Sequence, residues 1–552
     1  MTQNSKDGMK TSFDGNERSG LLERVIENWL TSANERQYQL PFCQVLQARG
    51  ETILYISKHG PFEKGKDIIS RAPDGRVHAY QLKKGDIGLA DWRDIRGEIE
   101  ELVELAIEIP GAPPITEFVP YLVTNGELKD TVIEQIRVGN LSRSSRGIRN
   151  ELLTVGKGEL FAMFREAHGA YLPRELTDFQ SFLELITLDG ASPADKGKAA
   201  LLFEHLLPAD FASVSQLDAR RAATSVALLA AYISGPAEFA SNHWSRFEYW
   251  VLAGSYVLYC AENSGASESS CESVFSLCEM AAEDALAALA RECEEREDFV
   301  QGLPLDDGHV YRARMTIIIG TICALDLSNR IRGNPRHSAQ IARRLLTDRL
   351  KETIFWGESA TPFYWASMLA TEQDCNSALA ESVAIRLIRD ICELNGDSAQ
   401  ARGFPNPYYS AEESLRLAYG LDPLNDEQFV GFSYSVLILV HFLVKRLRRQ
   451  ALARLWHGLT RMGLVEYAPA RAADWYRWKT NEGVLNSQLV DEPQSWEKLM
   501  RDAKEVPVGQ LPRTLLARPA FALWYALVYP HRFTRAIAKL IDDAVAGQLL
   551  SP

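Results

Sequence analysis

Residues 60–86, GPFEKGKDIISRAPDGRVHAYQLKKGD, form the stretch on which the fold prediction depends. Lys66–Ser70 and Val77–Lys83 are short segments rich in β-branched and aromatic residues, which is typical of strands. Between them lies Pro73-Asp74-Gly75, a combination that favours a tight turn. We therefore expect the two segments to pair as a β-hairpin.

The segments on either side of the hairpin extend this pattern. Helical or strand-like spacing predicts a helix over Glu35–Ala48, a strand over Thr52–Ser57, a helix over Asp91–Ile109, a strand over Phe118–Val123 and a helix over Glu127–Val138. An order of helix, three strands, helix, strand and helix describes an α/β sandwich whose last strand is reached through a crossover helix.

The remainder of the chain has a different composition. After about residue 150, Ala- and Leu-rich amphipathic stretches dominate and no comparable alternating strands are apparent. The predicted organisation is a disordered lead over 1–18, an α/β domain over 19–150 and an all-α region over 151–552, which could divide near 300–310. No clean repeat of 33 to 47 residues is visible, although the sequence leaves a degenerate helical array open as an interpretation.

Composition excludes several classes of protein. The net charge of -13, with 20 Lys+Arg against 22 Asp+Glu in residues 1–150, argues against a simple basic nucleic-acid-binding protein. The chain has no CxxC or HExxH, which leaves a zinc site unsupported, and no GxxxxGK[ST], so we expect no intrinsic ATPase. Polar residues at Met1–Arg18 and free cysteines indicate a cytoplasmic protein. Val436–Val444 is too short to span a membrane and is predicted to be a buried helix.

Three residues of the hairpin could carry chemistry. Asp67 opens the second strand of the α/β domain, while Gln81 and Lys83 lie two apart on the third and should share a face. The hairpin would place this pair beside Asp67. Metal-dependent hydrolysis of a phosphodiester needs oxygen ligands for the ion and a positive group near the phosphate or the attacking water. An acid, an amide and a lysine at one end of the sheet could supply both.

An Asp, a hairpin and a Gln-x-Lys pair resemble the PD-(D/E)xK restriction-endonuclease-like superfamily, in the Mrr-like form found in effector nucleases of bacterial anti-phage systems. The resemblance includes the preceding helix and the VTNG segment at 123–126, about a quarter of the chain. It implies that Asp67 is the principal ligand of Mg²⁺ (or Mn²⁺), that Gln81 positions the metal or its water, and that Lys83 orients the nucleophile or stabilises the phosphate. Gln81 also removes a negative charge, which should weaken metal binding, although this residue is usual among Mrr-like proteins.

That family commonly adds an acid from the first helix. Glu35 is the candidate here, and the sequence does not separate it from Glu23, Glu27 and Glu63.

Several basic residues are candidates for nucleic-acid contact. Lys66 and Lys84 flank the core residues, and either could replace Lys83 if the strand register differs by one. The other candidates are Arg93 and Arg96 on the crossover helix, which could instead be a solvated face, and Arg143 and Arg146, which could belong to a flexible linker.

The expected function is therefore a metal-dependent endonuclease, with double-stranded DNA favoured over RNA, acting in bacterial defence against phage or foreign DNA. The helical region would regulate it through a sensor or ATPase subunit or through self-association, without a membrane. The alternative is a non-catalytic nucleic-acid-binding scaffold or a partner-binding subunit of a defence complex.

Overall fold

The computed structural model describes residues 26–27, 29–31, 33–57, 65–108, 113–168, 176–208, 211, 216–263, 269–296, 308–374, 376–395, 404–418, 421, 431–479, 484–488 and 495–547. The chain divides into two compact units. We call Met1–Arg174 with Thr224–Tyr232 the α/β unit, and Glu175–Ala223 with Ile233–Pro552 the helical unit. The predicted lead over 1–18, Glu23, Glu63, Cys375 and most of the possible division near 300–310 lie outside the described residues.

The α/β unit contains the elements that the sequence predicts, with small differences at their ends. In chain order the predicted elements are α1 (Glu35–Ala48), β1 (Thr52–Ile56), β2 (Ile68–Arg71), β3 (Val77–Lys83), α2 (Leu89–Glu104), β4 (Val119–Thr124) and α3 (Asp130–Ser145). Two elements that the sequence does not predict follow them, β5 (Leu153–Val155) and α4 (Lys157–His168).

The five strands form one mixed sheet in the order β1-β2-β3-β4-β5. The first three pair antiparallel, whereas β3, β4 and β5 are parallel. Helix α2 is the predicted crossover between β3 and β4. Its Ile99 and Leu102 pack with Leu122 of β4 and with Val132 and Ile136 of α3 in one hydrophobic core. Burial of this apolar face fixes α2 against the sheet.

The hairpin between β2 and β3 confirms the turn prediction. Gly75 has φ +87, in the left-handed region that favours glycine. The Asp74 carboxylate accepts from the backbone N–H of Arg76 at 3.0 Å, and Ala72 N–H donates to the Arg76 carbonyl at 2.8 Å. The turn therefore sets the register that pairs Ile68 with Tyr80.

The α/β unit runs beyond the predicted boundary at 150. Strand β5 pairs with β4 through Val123 and Val155, and α4 follows it directly. Only three residues make up β5, which is too few for an alternating pattern to be visible in the sequence.

The rest of the chain is mostly helical. The helices are α5 (Leu176–Ile186), α6 (Lys196–Leu206), α7 (Gln216–Phe239, with residues in both units), α8 (His243–Asn263), α9 (Ser269–Glu295), α10 (Gly308–Arg332), α11 (Ala339–Arg349), α12 (Thr361–Gln373), α13 (Ser377–Asn395), α14 (Ala411–Ala418), α15 (Val436–Lys445), α16 (Arg449–Leu459), α17 (Trp496–Lys504), α18 (Arg513–Leu516), α19 (Pro519–Val528) and α20 (Arg535–Val545).

The prediction of an all-α region after residue 150 is wrong in detail. The helical unit also contains β6 (Phe432–Ser433), β7 (Gly463–Tyr467) and β8 (Val484–Gln488), which form a three-stranded sheet. By contrast, α15 confirms the buried helix predicted over Val436–Val444. Along the described part of the chain, no helix combines the length and the apolar character needed to cross a bilayer.

Candidate active site

Asp67 lies immediately before β2 and is held by backbone hydrogen bonds. Its N–H donates to the Tyr80 carbonyl at 2.8 Å, which continues the hairpin ladder. Its carboxylate oxygen Oδ2 accepts from the N–H of Leu82 at 2.7 Å, and the residue is 8% exposed. Because Leu82 lies between Gln81 and Lys83, the carboxylate is fixed beside the predicted pair.

Gln81 and Lys83 share one face of β3, as the alternation of a strand requires. The Lys83 ammonium lies 2.5 Å from the Glu98 carboxylate, and the Gln81 side-chain amide donates to the same oxygen at 3.4 Å. Gln81 pairs with Leu122 of β4, so Gln81 and Lys83 both lie towards the carboxyl ends of the parallel strands. The structure thus keeps Lys83 at the predicted register.

Glu98 is the site residue that sequence reasoning missed. It lies on the crossover helix α2, three residues after Ile95 and four before Leu102, both of which pack in the core. A charged residue at these spacings faces the same side of a helix as its apolar neighbours. An acid on the sheet-facing side of α2 was therefore a signal that could have identified it.

The side-chain carbonyl oxygen of Gln81 has no hydrogen-bond partner within the described residues, although the side chain is only 6% exposed. Leaving such an oxygen unsatisfied costs about 1–3 kcal/mol. A divalent ion ligated by this oxygen would remove that cost. The donors available here, carboxylate and amide oxygens, are those that Mg²⁺ prefers.

Among the residues that the structure describes, no three His, Cys, Asp or Glu side chains lie close enough together to hold a metal. The candidate ligand set differs from such a cluster because it includes the amide oxygen of Gln81. Mg²⁺ usually keeps several waters and takes only one or two carboxylates from the protein, so Asp67 and Gln81 fit it better than they fit zinc.

Glu35, the predicted additional acid, is the first residue of α1 and approaches the same end of β3. Its carboxylate accepts from the N–H of Lys84 at 3.2 Å. One turn later on α1, the Tyr38 hydroxyl donates to the Lys83 carbonyl at 2.8 Å. Burial and then the charge of Glu35 raise the pKa of Tyr38, with a smaller effect from Asp67. Glu35 and Asp67 are therefore close enough to act on the same hydroxyl group.

The VTNG segment over 123–126 holds these elements together. The Asn125 side chain accepts from Gly85 N–H at 2.7 Å and donates to the Leu30 and Ala33 carbonyls at 2.6 and 2.8 Å. A Cβ on Gly126 would lie 2.0 Å from the Gly85 carbonyl carbon. The exits of β3 and β4 thus touch backbone to backbone, next to the start of α1.

The predicted nucleic-acid contacts divide into accessible and inaccessible groups. Lys84, Arg93 and Arg96 are exposed, and Arg96 forms an ion pair with Glu100 of the same helix. Trp92, which precedes Arg93, is a core residue.

Lys66 is not placed to contact a nucleic-acid backbone. It is 3% exposed, its ammonium donates to the Glu101 carbonyl at 3.0 Å, and it lies 5.5 Å from the centre of the Phe118 ring. Lys66 was predicted as a nucleic-acid contact, but it packs against α2. The sequence alone does not show this packing.

Arg143 and Arg146 lie away from the candidate site. Arg143 is 8% exposed and donates to the Asn140 side chain, while Arg146 pairs with Glu104 at the end of α2. Asn140 also bonds to the backbone of Leu152, just before β5. Both arginines are therefore near the starts of the parallel strands, whereas Lys83 is at the opposite end.

The solvent-facing side of α2 is acidic. Asp91, Asp94, Glu100 and Glu101 are exposed there together with Arg93 and Arg96, while Glu98 lies at the edge of this side and reaches Lys83.

No family profile matches the chain, and neither a curated protein nor a solved structure matches it significantly.

Proposed function

We propose that the α/β unit is a metal-dependent endonuclease that cleaves phosphodiester bonds, with Mg²⁺ (or Mn²⁺) as cofactor and double-stranded DNA as substrate. The observation that carries the proposal is the convergence of Asp67, Gln81 and Lys83, together with the buried Gln81 oxygen that lacks a partner within the described residues.

Each residue has a distinct part in this chemistry. Asp67 and Gln81 would hold the ion through a carboxylate and an amide oxygen, and the bound ion supplies Lewis acidity and a water of lowered pKa. The Lys83 ammonium would donate to the scissile phosphate and stabilise the charge that develops there. Glu98 positions Lys83 and Gln81, and Glu35 is a second acid at the same end of the sheet.

DNA would approach through the accessible cations. Lys84 and Arg93 are exposed near this end of β3 and the start of α2, so they are the proposed backbone contacts, with Arg96 beside them. Replacing Arg93 should weaken DNA binding and reduce its salt dependence.

The test is cleavage of supercoiled plasmid by the purified full-length protein in Mg²⁺. We expect nicked or linear product, no product with a chelator, and a rate lower by on the order of 10²–10³-fold or more for Asp67→Asn. Asparagine keeps an acceptor for Leu82 N–H, so the fold should survive. Asp94→Asn, on the exposed face of α2, is the matched control and should cleave like the wild type.

Equal cleavage by wild type and Asp67→Asn would show that the active site is elsewhere. If the purified wild-type protein does not cleave the plasmid by itself, the assay is repeated with single-stranded DNA, with RNA and with the products of neighbouring genes. Full protection against phage by both Asp67→Ala and Lys83→Ala would favour the non-catalytic scaffold instead.

We further propose that the helical unit regulates this activity in bacterial defence, through a sensor or ATPase subunit or through self-association. Its length, more than twice that of the α/β unit, supports a role beyond stabilising the nuclease. Deleting the helical unit should change the requirement for an activating signal without moving the catalytic residues.

A further inference from the structure

A buried histidine in the helical unit makes ring contacts but no hydrogen bond to any described residue. His531 lies in a short 3₁₀ turn, Pro530–Arg532, and is 2% exposed. Its ring centre is 4.9 Å from that of Trp478, 5.0 Å from that of Tyr408 and 5.8 Å from that of Tyr529. Neither ring nitrogen has a hydrogen-bond partner in the described part of the chain. A buried polar group in that state requires an explanation, and a ligand is one.

Cations lie near the His531 ring and its neighbour Trp478. The ammonium groups of Lys196 and Lys479 each lie 5.6 Å from the centre of the Trp478 ring. Burial first, and then Arg532, Lys479 and Lys196, hold the pKa of His531 well below its usual range, so the imidazole is neutral. A neutral imidazole offers one donor and one acceptor, and the positive field around it favours an anion.

The carboxylates on the facing elements only partly balance this charge. Glu248 of α8 forms an ion pair with Lys196, and Glu413 of α14 interacts with the charge of Lys479. Arg532 is fully buried and donates to the Arg477 carbonyl at 2.9 Å. Glu204 also acts on Tyr529 and pairs with Arg477. Among the described residues named here, four cations thus lie near three carboxylates, in a protein whose overall charge is -13.

The cluster reaches the surface on one side. Trp478 and Tyr408 are half-buried, and Lys479 is exposed. Lys479 also has φ +40, a left-handed conformation that is costly for a residue other than glycine. The surrounding structure therefore holds this lysine beside the aromatic rings at the expense of backbone strain.

We propose that these six residues, which we call the His531 cluster (Lys196, Tyr408, Trp478, Lys479, Tyr529 and His531), bind a nucleotide. The lysines would contact its phosphate groups, the half-buried rings of Trp478 and Tyr408 would stack on its base, and the imidazole would hydrogen-bond to a polar group of the base. Free phosphate would contact only the lysines of the cluster, and a nucleoside would contact only its aromatic and imidazole rings. The inference does not depend on the nuclease activity, and the absence of a GxxxxGK[ST] motif agrees with binding without hydrolysis.

The test is calorimetric titration of the full-length protein with ribonucleoside mono- and triphosphates of the four bases. A chelator is present so that a metal at Asp67 cannot contribute. We expect at least one nucleotide to bind with a Kd below about 1 mM. It should bind at least about tenfold more tightly than its nucleoside, which lacks the phosphate contacts. It should exceed tripolyphosphate by a similar factor, because tripolyphosphate lacks the stacking that contributes about 1–3 kcal/mol per base.

Two variants connect the binding to the cluster. His531→Phe keeps an aromatic ring but removes both nitrogens, and Lys479→Ala changes an exposed side chain that should not affect folding. Each should weaken binding about tenfold, whereas Lys498→Ala, an exposed lysine on α17, should leave it unchanged. Three results would overturn the proposal: no binding of any nucleotide, equal binding by wild type and both cluster variants, or tripolyphosphate binding as tightly as the nucleotides.

Discussion

Replacing Glu358 by glutamine should change how the stability of the helical unit depends on pH. Glu358 begins the short 3₁₀ turn Glu358–Ala360 and is 1% exposed. One carboxylate oxygen accepts from the N–H groups of Tyr434 and Ser435 at 2.7 and 3.2 Å. Burial nevertheless dominates these bonds and raises the pKa of Glu358 from 4.5 to about 7.

The direction of the effect follows from the difference between the pKa of Glu358 in the folded protein and its ordinary value in the unfolded chain. Between about pH 4.5 and 7 the folded protein keeps a proton that the unfolded chain has released, so the stabilising contribution is complete below pH 4.5 and is lost as the pH rises through 7. With these two pKa values, the contribution of Glu358 to the free energy of unfolding falls by about 2.5 kcal/mol between pH 5 and pH 8. Glutamine does not titrate, so Glu358→Gln lacks this fall.

The assay is urea unfolding followed by tryptophan fluorescence at pH 5, 6, 7 and 8. Any cost of the substitution that does not depend on pH cancels, because the comparison is between pH values. Glu358→Gln should gain about 2.5 kcal/mol relative to the wild type from pH 5 to pH 8, and Glu412→Gln, an exposed carboxylate on α14, should gain nothing. Parallel curves for the wild type and Glu358→Gln would refute the reasoning.

Four further predictions concern packing and the candidate site. Gly126→Ala should unfold the α/β unit, because its Cβ would lie 2.0 Å from the Gly85 backbone, and circular dichroism with thermal melting would detect the loss. Gly97→Ala, exposed in α2 with open space around it, should stabilise the protein by about 1 kcal/mol in the same melts. Glu98→Gln should keep the fold but lower the plasmid cleavage rate, and a rate equal to that of the wild type would remove it from the site. Arg446→Ala removes the guanidinium that pairs with the largely buried Glu372 carboxylate, while Asp542 keeps its ion pair with Lys445, and it should cost about 3–5 kcal/mol in urea unfolding.

The sequence was sufficient for those features that depend on neighbouring residues. The turn at Asp74 and Gly75 sets the hairpin, and the two-residue period of a strand then places Gln81 and Lys83 on one face. Glu35–Ala48 has its predicted bounds, and local residues set them: Asn34 caps the start of the helix and Gly50 follows its end. Each of these features is decided within one short segment of the chain.

Features that depend on distant pairing were missed. β6 has two residues and pairs with β7 about thirty residues later, so no local pattern marks it. β5 joins the sheet only because β4 offers an unpaired edge. A short strand is stabilised mainly by its partner, so its own composition carries little information.

The candidate site falls between these two cases. Asp67, Gln81 and Lys83 were identified because the hairpin alone brings them together. The positions of Glu98 and Lys66 were not predicted, because both depend on where α2 lies. The sheet-facing side of α2 brings the Glu98 carboxylate to Lys83, and the Glu101 carbonyl near its end accepts from Lys66. The apolar core, and not charge, sets the position of α2. The pattern of charged residues therefore could not show that Lys83 belongs to the candidate site and that Lys66 packs against α2.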